Sequence, residues 1–173
     1  MKTLHLLRHA KSSWKDPALD DHERPLSKRG RETAKMIGAY LRREKIRPDV
    51  VVCSSAVRAR QTLAPISKEI KPSKVVLKKG IYAVPQQKLW KHISTLPENA
   101  DCVLLIGHNP ALHVLALALA TAESRARLPS IEAKFPTGAM ATFRFDGPWK
   151  ELRPNGAALS AFTCPKDIAR KGR

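Results

Sequence analysis

The chain has 173 residues, 43% of them apolar and 27% charged. This length supports a hydrophobic core without metal or disulfide staples, and the balance excludes disordered, collagenous and coiled-coil classes. Thirty-two Lys and Arg against 15 Asp and Glu give a formal charge of +17, which suits a polyanionic, phosphorylated or acidic partner. No block of like charge marks an arm that grips nucleic acid. Cys53, Cys102 and Cys164 are odd in number and form no C-x-x-C pair. They read as reduced thiols in a cytoplasmic protein. The longest apolar stretch, 111–120, contains His113 and is too short to span a bilayer. His5, Arg8 and His9 interrupt the apolar core that a cleaved leader needs. Without repeats or linkers, residues 1–173 are expected to form one domain.

The first element is a strand over 2–7, KTLHLL. A helix follows over 27–44, with Ala34, Ile37, Tyr40 and Leu41 on one face and Ser27 as N-cap. The β-branched run 49–53, DVVVC, predicts a strand buried on both faces. The next helix carries Ala59, Leu63, Ile66 and Ile70 inward, and Pro65 is expected to kink or interrupt it. A short strand over 74–77, a helix over 86–96 and a strand over 101–106 come next. Asn109 as N-cap and Pro110 at the first position open a helix over 110–122, apolar nearly all round and therefore buried. Residues 123–137 read as an irregular loop, and 139–145 and 157–163 as strands. Alternating strands and helices predict an α/β fold, a three-layer α/β/α sandwich with a mostly parallel central sheet.

In such sheets ligands bind at the carboxyl ends of the strands. Arg8-His9, Ser54 to Arg58 and His108 all fall just past strand ends. Arginine offers a rigid fork of donors that matches phosphate oxygens, and histidine can act as nucleophile, acid–base group or oxyanion donor. Few carboxylates accompany them, and no H-x-H or H-E-x-x-H spacing occurs. The expectation is a phosphate site with neither metal nor cofactor. His5, His22, His92 and His113 have no comparable context and read as structural or solvated.

Residues 6–14, LLRHAKSSW, resemble the R-H-G signature of the histidine phosphatase (phosphoglycerate mutase-like) superfamily. SSAVRARQT and LLIGHNP resemble its second and third signatures. D-x-x-R-P-L-x-x-R-G, from Asp21 to Gly30, and KFPTGAMATFRF, residues 134–145, are similar to the SixA-type phosphohistidine phosphatase branch. The resemblance implies that His9 is the nucleophile and becomes transiently phosphorylated. It implies that Arg8 and Arg58 clamp the phosphoryl group and that His108 bonds the same oxygens. The attacking nitrogen of His9 must be unprotonated, a form the arginines favour. A hydrogen bond from the other ring nitrogen to a carbonyl would fix the tautomer. Lys11, Ser12 and Asn109 are candidate substrate-binding residues. Asp21 and Arg24 read as braces of the loop, and Trp14 as packing against it.

Two departures stand out. R-H-G is R-H-A here, with Ala10 in place of glycine, which is tolerable unless a positive φ is required. Larger members place a carboxylic acid after the third strand, whereas residues 78–92 hold no Asp or Glu. An alkoxide leaving group needs a proton donor more than a phosphoramidate does. The expected function is therefore protein phosphohistidine hydrolysis. The alternatives are a phosphomonoesterase for a small metabolite or nucleotide, and a non-catalytic phosphate- or nucleic-acid-binding module. The intact site residues and the lack of a nucleic-acid motif argue against the last.

Overall fold

Strand-forming and helix-forming segments alternate through most of this chain. The computed structural model describes residues 1–171; the last two residues of the basic C-terminal stretch lie outside the described region. The strands are β1 (Lys2–Arg8), β2 (Val50–Ser54), β3 (Lys74–Lys78), β4 (Cys102–Gly107), β5 (Met140–Phe145) and β6 (Ala158–Thr163). The helices are α1 (Lys28–Arg43), α2 (Val57–Ile70), α3 (Gln86–Ser94), α4 (Ala111–Leu119), α5 (Ala122–Arg127), α6 (Ser130–Ala133) and α7 (Pro165–Lys171). One six-stranded sheet has the order β3-β2-β4-β1-β5-β6. Its first four strands are mutually parallel; β5 runs antiparallel to β1, and β6 to β5.

Alternation along each strand divides the core between two faces. Leu4, Leu6, Val50, Val52, Val103 and Leu105 pack with α3 and α4. Leu7, Val51, Cys53, Leu104 and Ile106 pack with α1 and α2. The result is the α/β/α sandwich expected from the sequence. β3 is an edge strand, with Val75 44% and Leu77 52% exposed, between the charged residues Lys74 and Lys78. Among the described residues no helix is long and apolar enough to cross a membrane. The three cysteines are unpaired, and burial pushes the Cys53 thiol up to about 12, making it a poor nucleophile.

Several local expectations need correction. Pro65 does not interrupt α2, which runs through it. The helix lies tightly on α1 at Gly38, where an added Cβ would come within 3.2 Å of the Pro65 carbonyl and the Ile66 Cα. This close packing holds the turn that lacks one donor. α4 begins at Ala111 and ends at Leu119, shorter than expected, and Val114 is 42% exposed. Asn109 does not cap α4; its amide instead donates to the Phe135 carbonyl at 3.0 Å. The supposed loop 123–137 contains α5 and α6, with Thr121 capping Ser124. Ser27 caps α1 as expected, accepting from Gly30 N at 3.0 Å.

Candidate active site

Parallel pairing places the two signature histidines side by side. Arg8, the last residue of β1, pairs with Gly107, the last of β4. His9 N then donates to the Gly107 carbonyl at 3.1 Å. The His9 and His108 rings lie 4.9 Å apart, centroid to centroid. β2 ends at Ser54, and the first turn of α2 turns Arg58 toward His9. All three side chains are buried, so the site is a recessed floor at the carboxyl edge of the sheet.

Hydrogen bonds settle the His9 tautomer. Nδ1 lies 2.7 Å from the Ala10 carbonyl, which can only accept, so Nδ1 carries the proton. Nε2 accepts from Arg58 Nε at 3.3 Å and so carries no proton; its one lone pair is held by that long hydrogen bond and reaches a phosphoryl group only when the bond yields. Burial lowers the His9 pKa to about 4, helped by the charges of Arg58 and Arg8 and opposed by the Ala10 hydrogen bond. Burial likewise lowers His108 to about 3, with contributions from His9 and Arg58. His108 Nε2 shares a 2.7 Å hydrogen bond with Ser54 Oγ. At neutral pH both imidazoles are uncharged, and the positive charge of the floor resides on the arginines.

Ala10 has no positive φ, unlike the left-handed residues Lys45, Lys71, Ala83 and Asn155. It is buried with Leu26 and Ala34, and its N–H reaches Thr62 Oγ1 at 3.0 Å. The glycine-to-alanine departure therefore creates no backbone strain. Thr62 Oγ1 also donates to the Arg58 carbonyl at 2.7 Å, joining the loop after β1 to α2.

The loop after β1 returns across the cavity and delivers one acid, Asp21. Its Oδ2 accepts from Arg58 Nη2 at 2.8 Å and from the Tyr82 hydroxyl at 2.6 Å, and its Oδ1 accepts from Arg24 Nη1 at 2.7 Å. Arg58 Nη1 donates to the Asp21 main-chain carbonyl. The Tyr82 hydroxyl and the two guanidinium groups hold the Asp21 carboxyl far below the usual carboxylate range. Arg24 is buried, and its remaining donors go to Ser12 Oγ at 2.7 Å and the Ser13 carbonyl at 3.1 Å. Trp14 lies flat on Arg24, with the guanidinium carbon 3.1 Å from the ring centroid. Trp14 is nonetheless 77% exposed and lines the cavity mouth, contrary to the expectation that it packs the loop. The stack offers one ring face to Arg24 and leaves the other in solvent.

These residues enclose a cavity of about 550 Å³. Three buried polar atoms on its floor have no protein partner: Arg8 Nε, His108 Nδ1 and Asn109 Oδ1. Buried groups normally bond, and two of these three belong to the residues the sequence marks as phosphate contacts. Lys11 and Ser12 also line the cavity, although Ser12 Oγ is already engaged by Arg24. Arg8 Nη1 donates to the Phe135 carbonyl at 2.9 Å, which fixes its fork. The sequence reading missed Tyr82, because residues 78–92 were searched only for carboxylates. It also missed the carbonyl of Phe135, since backbone acceptors carry no residue-type signal. Ser54 was legible only as part of its signature. Among the described residues no group of three or more His, Cys, Asp or Glu is placed to hold a metal ion.

A dianionic tetrahedral group fits this floor: the unprotonated Nε2 of His9 lies at it beside Arg58, and arginine donors flank it. Comparison with known proteins identifies the family. The family model described as histidine phosphatase superfamily (branch 1) matches residues 4–81. An uncharacterized protein of Mycobacterium tuberculosis is 35% identical over 162 residues, covering 92% of this chain and all of the relative. A Nakamurella multipartitia structure assigned as the phosphohistidine phosphatase SixA is 30% identical with a TM-score of 0.82, over 95% of this chain and 96% of that one. An Agrobacterium tumefaciens structure with the same assignment is 27% identical with a TM-score of 0.80, over 95% and 98%.

Proposed function

Because the chain belongs to the histidine phosphatase superfamily, with SixA-like relatives, and is a phosphatase, we propose that it hydrolyses phosphohistidine in proteins through a phosphoenzyme on His9. The observation that carries the substrate choice is Asp21. Among the described residues it is the only carboxylate lining the cavity, and three donors hold it ionised. An ionised carboxylate cannot protonate an alkoxide. A phosphoimidazole needs no such donor. Once its far ring nitrogen is protonated, the imidazole departs as a neutral molecule.

In the first step His9 Nε2 donates its lone pair to phosphorus and the P–N bond to the substrate breaks, its electron pair leaving with the substrate imidazole. Arg8 and Arg58 balance charge on the equatorial oxygens. The Nδ1–H bond to the Ala10 carbonyl stabilises the positive charge that grows on the His9 ring. His108 completes the donors around the group, and Lys11, Ser12 and Asn109, whose amide donates to the Phe135 carbonyl, border its approach. In the second step water attacks phosphorus, the bond to His9 Nε2 breaks, and inorganic phosphate leaves.

The test is phosphate release from a phosphohistidine-bearing protein and from aryl and alkyl phosphates, using wild type and His9→Ala with and without chelator. The expected result is chelator-insensitive release that favours phosphohistidine and disappears in the variant. Faster hydrolysis of a small alkyl ester would replace this reading with a metabolite or nucleotide phosphomonoesterase.

A further inference from the structure

The active-site cavity does not end at its mouth. Two further surface hollows share walls with it. One passes between the loop after β1 and the start of α1, lined by Lys11, Lys15, Lys28 and Arg29 over Pro25 and Leu26. The other passes along the start of α7, lined by Arg29, Lys134 and Lys166 beside Phe162 and Pro165. Lys11 and Arg29 also line the active-site cavity, as do Thr137 and Pro165 of the second hollow. Arg29 is common to all three, so the two hollows adjoin the mouth, and together they make a basic trough around it.

The charge around this trough is one-sided and uncompensated within the chain. Lys11, Lys15, Lys28, Arg29, Lys134 and Lys166 are exposed. None is among the ion pairs formed by the described residues. Among the described residues the trough walls hold only two carboxylates. Asp21 is consumed by Arg58, Arg24 and Tyr82, and Asp167 accepts from Cys164 N. The placement also opposes local stability. The first turn of α1 contains basic residues and no acid, so Lys28, Arg29 and Arg31 stand at the positive end of the helix dipole, where cations are unfavourable. A local rule broken on the rim of a catalytic cavity points to a role outside folding.

We propose that this trough is a docking surface for an acidic polypeptide face flanking the phosphorylated side chain. The inference rests on the phosphohistidine reading for its substrate. The cations would pair with Asp and Glu of the partner, and the apolar floors at Leu26 and Phe162 would accept its aliphatic side chains. His9 lies at a buried floor, so the phosphoryl group must project from its carrier by a side chain's length, as a histidine on a protein surface does. The exposed outer face of Trp14 at the same mouth is a rigid anchor of the kind enriched at interfaces. Electrostatic complementarity of this type mainly raises the association rate and weakens with salt.

The experiment separates docking from chemistry. A fluorescent, unphosphorylated Asp/Glu-rich peptide, a neutral peptide of equal length and a single-stranded DNA oligonucleotide are titrated against wild type. The same is done with Lys28→Glu/Lys134→Glu/Lys166→Glu, none of which lines the active-site cavity, and with a control carrying equal charge changes at Lys68, Lys91 and Lys150, which line none of these hollows. The expected result is acidic-peptide binding roughly tenfold tighter than neutral, weakened by salt, kept by the control and lost in the trough variant. Aryl phosphate hydrolysis should stay at the wild-type level in both variants, which verifies folding. Equal binding of the acidic and neutral peptides, or equal loss in the control, overturns the proposal. DNA bound more tightly than the acidic peptide overturns it in favour of a nucleic-acid surface. Failure to hydrolyse a phosphohistidine peptide, with binding intact, would instead refute the substrate reading and leave the docking surface standing.

Discussion

Asp21 and Arg58 are joined twice: Arg58 Nη2 donates to Asp21 Oδ2 at 2.8 Å, and Nη1 donates to the Asp21 main-chain carbonyl. The pair orients the guanidinium whose Nε meets Nε2 of His9, the proposed nucleophile. The carboxylate at this site therefore organises positive charge and does not supply a proton.

Asp21→Asn tests that assignment. A positioning role predicts that kcat/KM falls by roughly ten- to a hundredfold for every substrate, since one charged hydrogen-bond partner is worth about 1.5–3 kcal/mol. The dependence of rate on leaving-group pKa should be unchanged. A loss confined to alkyl esters, with aryl phosphates and phosphohistidine spared, would identify Asp21 as a proton donor and sink the positioning role.

The acid limb of kcat/KM follows from His9. The neutral ring is the active form, and its pKa is lowered to about 4. Activity should therefore hold from neutral pH down to about pH 5 and fall below about pH 4. Arg58→Ala removes a positive charge that disfavours the imidazolium, so the limb should move to higher pH, toward the ordinary value of 6.5. The variant should also lose about a hundredfold or more in rate, as expected for removal of a preorganised donor. A pH profile with an unmoved limb would show that Arg58 does not set the nucleophile's protonation.

Stability should fall over the same acid range. His5, His9 and His108 have folded-state pKa values of about 4, 4 and 3 against an ordinary 6.5. Between pH 6.5 and these values the unfolded chain binds protons that the folded chain does not, so stability rises with pH across that window. The contribution of each is complete above pH 6.5 and lost as pH falls toward its folded-state value, by up to about 3 kcal/mol for His5 and His9 and about 5 kcal/mol for His108. His5 is far from the chemistry, its Nδ1 lying 2.9 Å from Thr142 Oγ1 in the core. His5→Asn should flatten the pH dependence of denaturant midpoints and leave the activity profile's shape intact; an unchanged stability slope would contradict the assignment.

Gly30→Ala should damage site and fold together. A Cβ at Gly30 would lie 2.0 Å from the Lys11 carbonyl oxygen, a backbone atom with no freedom to swing away. That carbonyl also accepts from Ser27 N at 2.9 Å, which locks the loop after His9 to the start of α1. Overpacking of this kind costs about 1–3 kcal/mol, and the displaced loop carries Ser12 and Trp14. Thermal unfolding should shift down by several degrees, roughly 2–4 °C per kcal/mol for this chain length, with a fall in kcat. A variant of wild-type melting temperature would show that the loop yields without cost.

The parts of the fold readable from sequence are those governed by short-range periodicity. The apolar runs at 49–53 and 101–106 announce strands buried on both faces, and the 3.6-residue pattern from Ala34 to Leu41 announces α1. The errors lie where contacts distant in sequence override a local rule. Pro65 sits within a continuous helix because α1 packs against it, and Asn109 abandons its capping position for the carbonyl of Phe135, twenty-six residues away. Trp14 reads as a packing residue on composition alone, yet Arg24 beneath it holds its ring at the cavity mouth.

The sequence by itself determined the residue chemistry: two histidines and two arginines at the carboxyl ends of parallel strands, their order along the chain, and the absence of an acid from 78–92. Strand periodicity and parallel topology bring those ends to one edge, so their convergence needed no coordinates. Only the tertiary structure decided which His9 nitrogen is free, that the loop after β1 returns Asp21 to the cavity, and that Tyr82, Arg24 and Arg58 keep it ionised. Those outcomes depend on hydrogen-bond geometry and local dielectric, which arise when segments remote in sequence exclude water together.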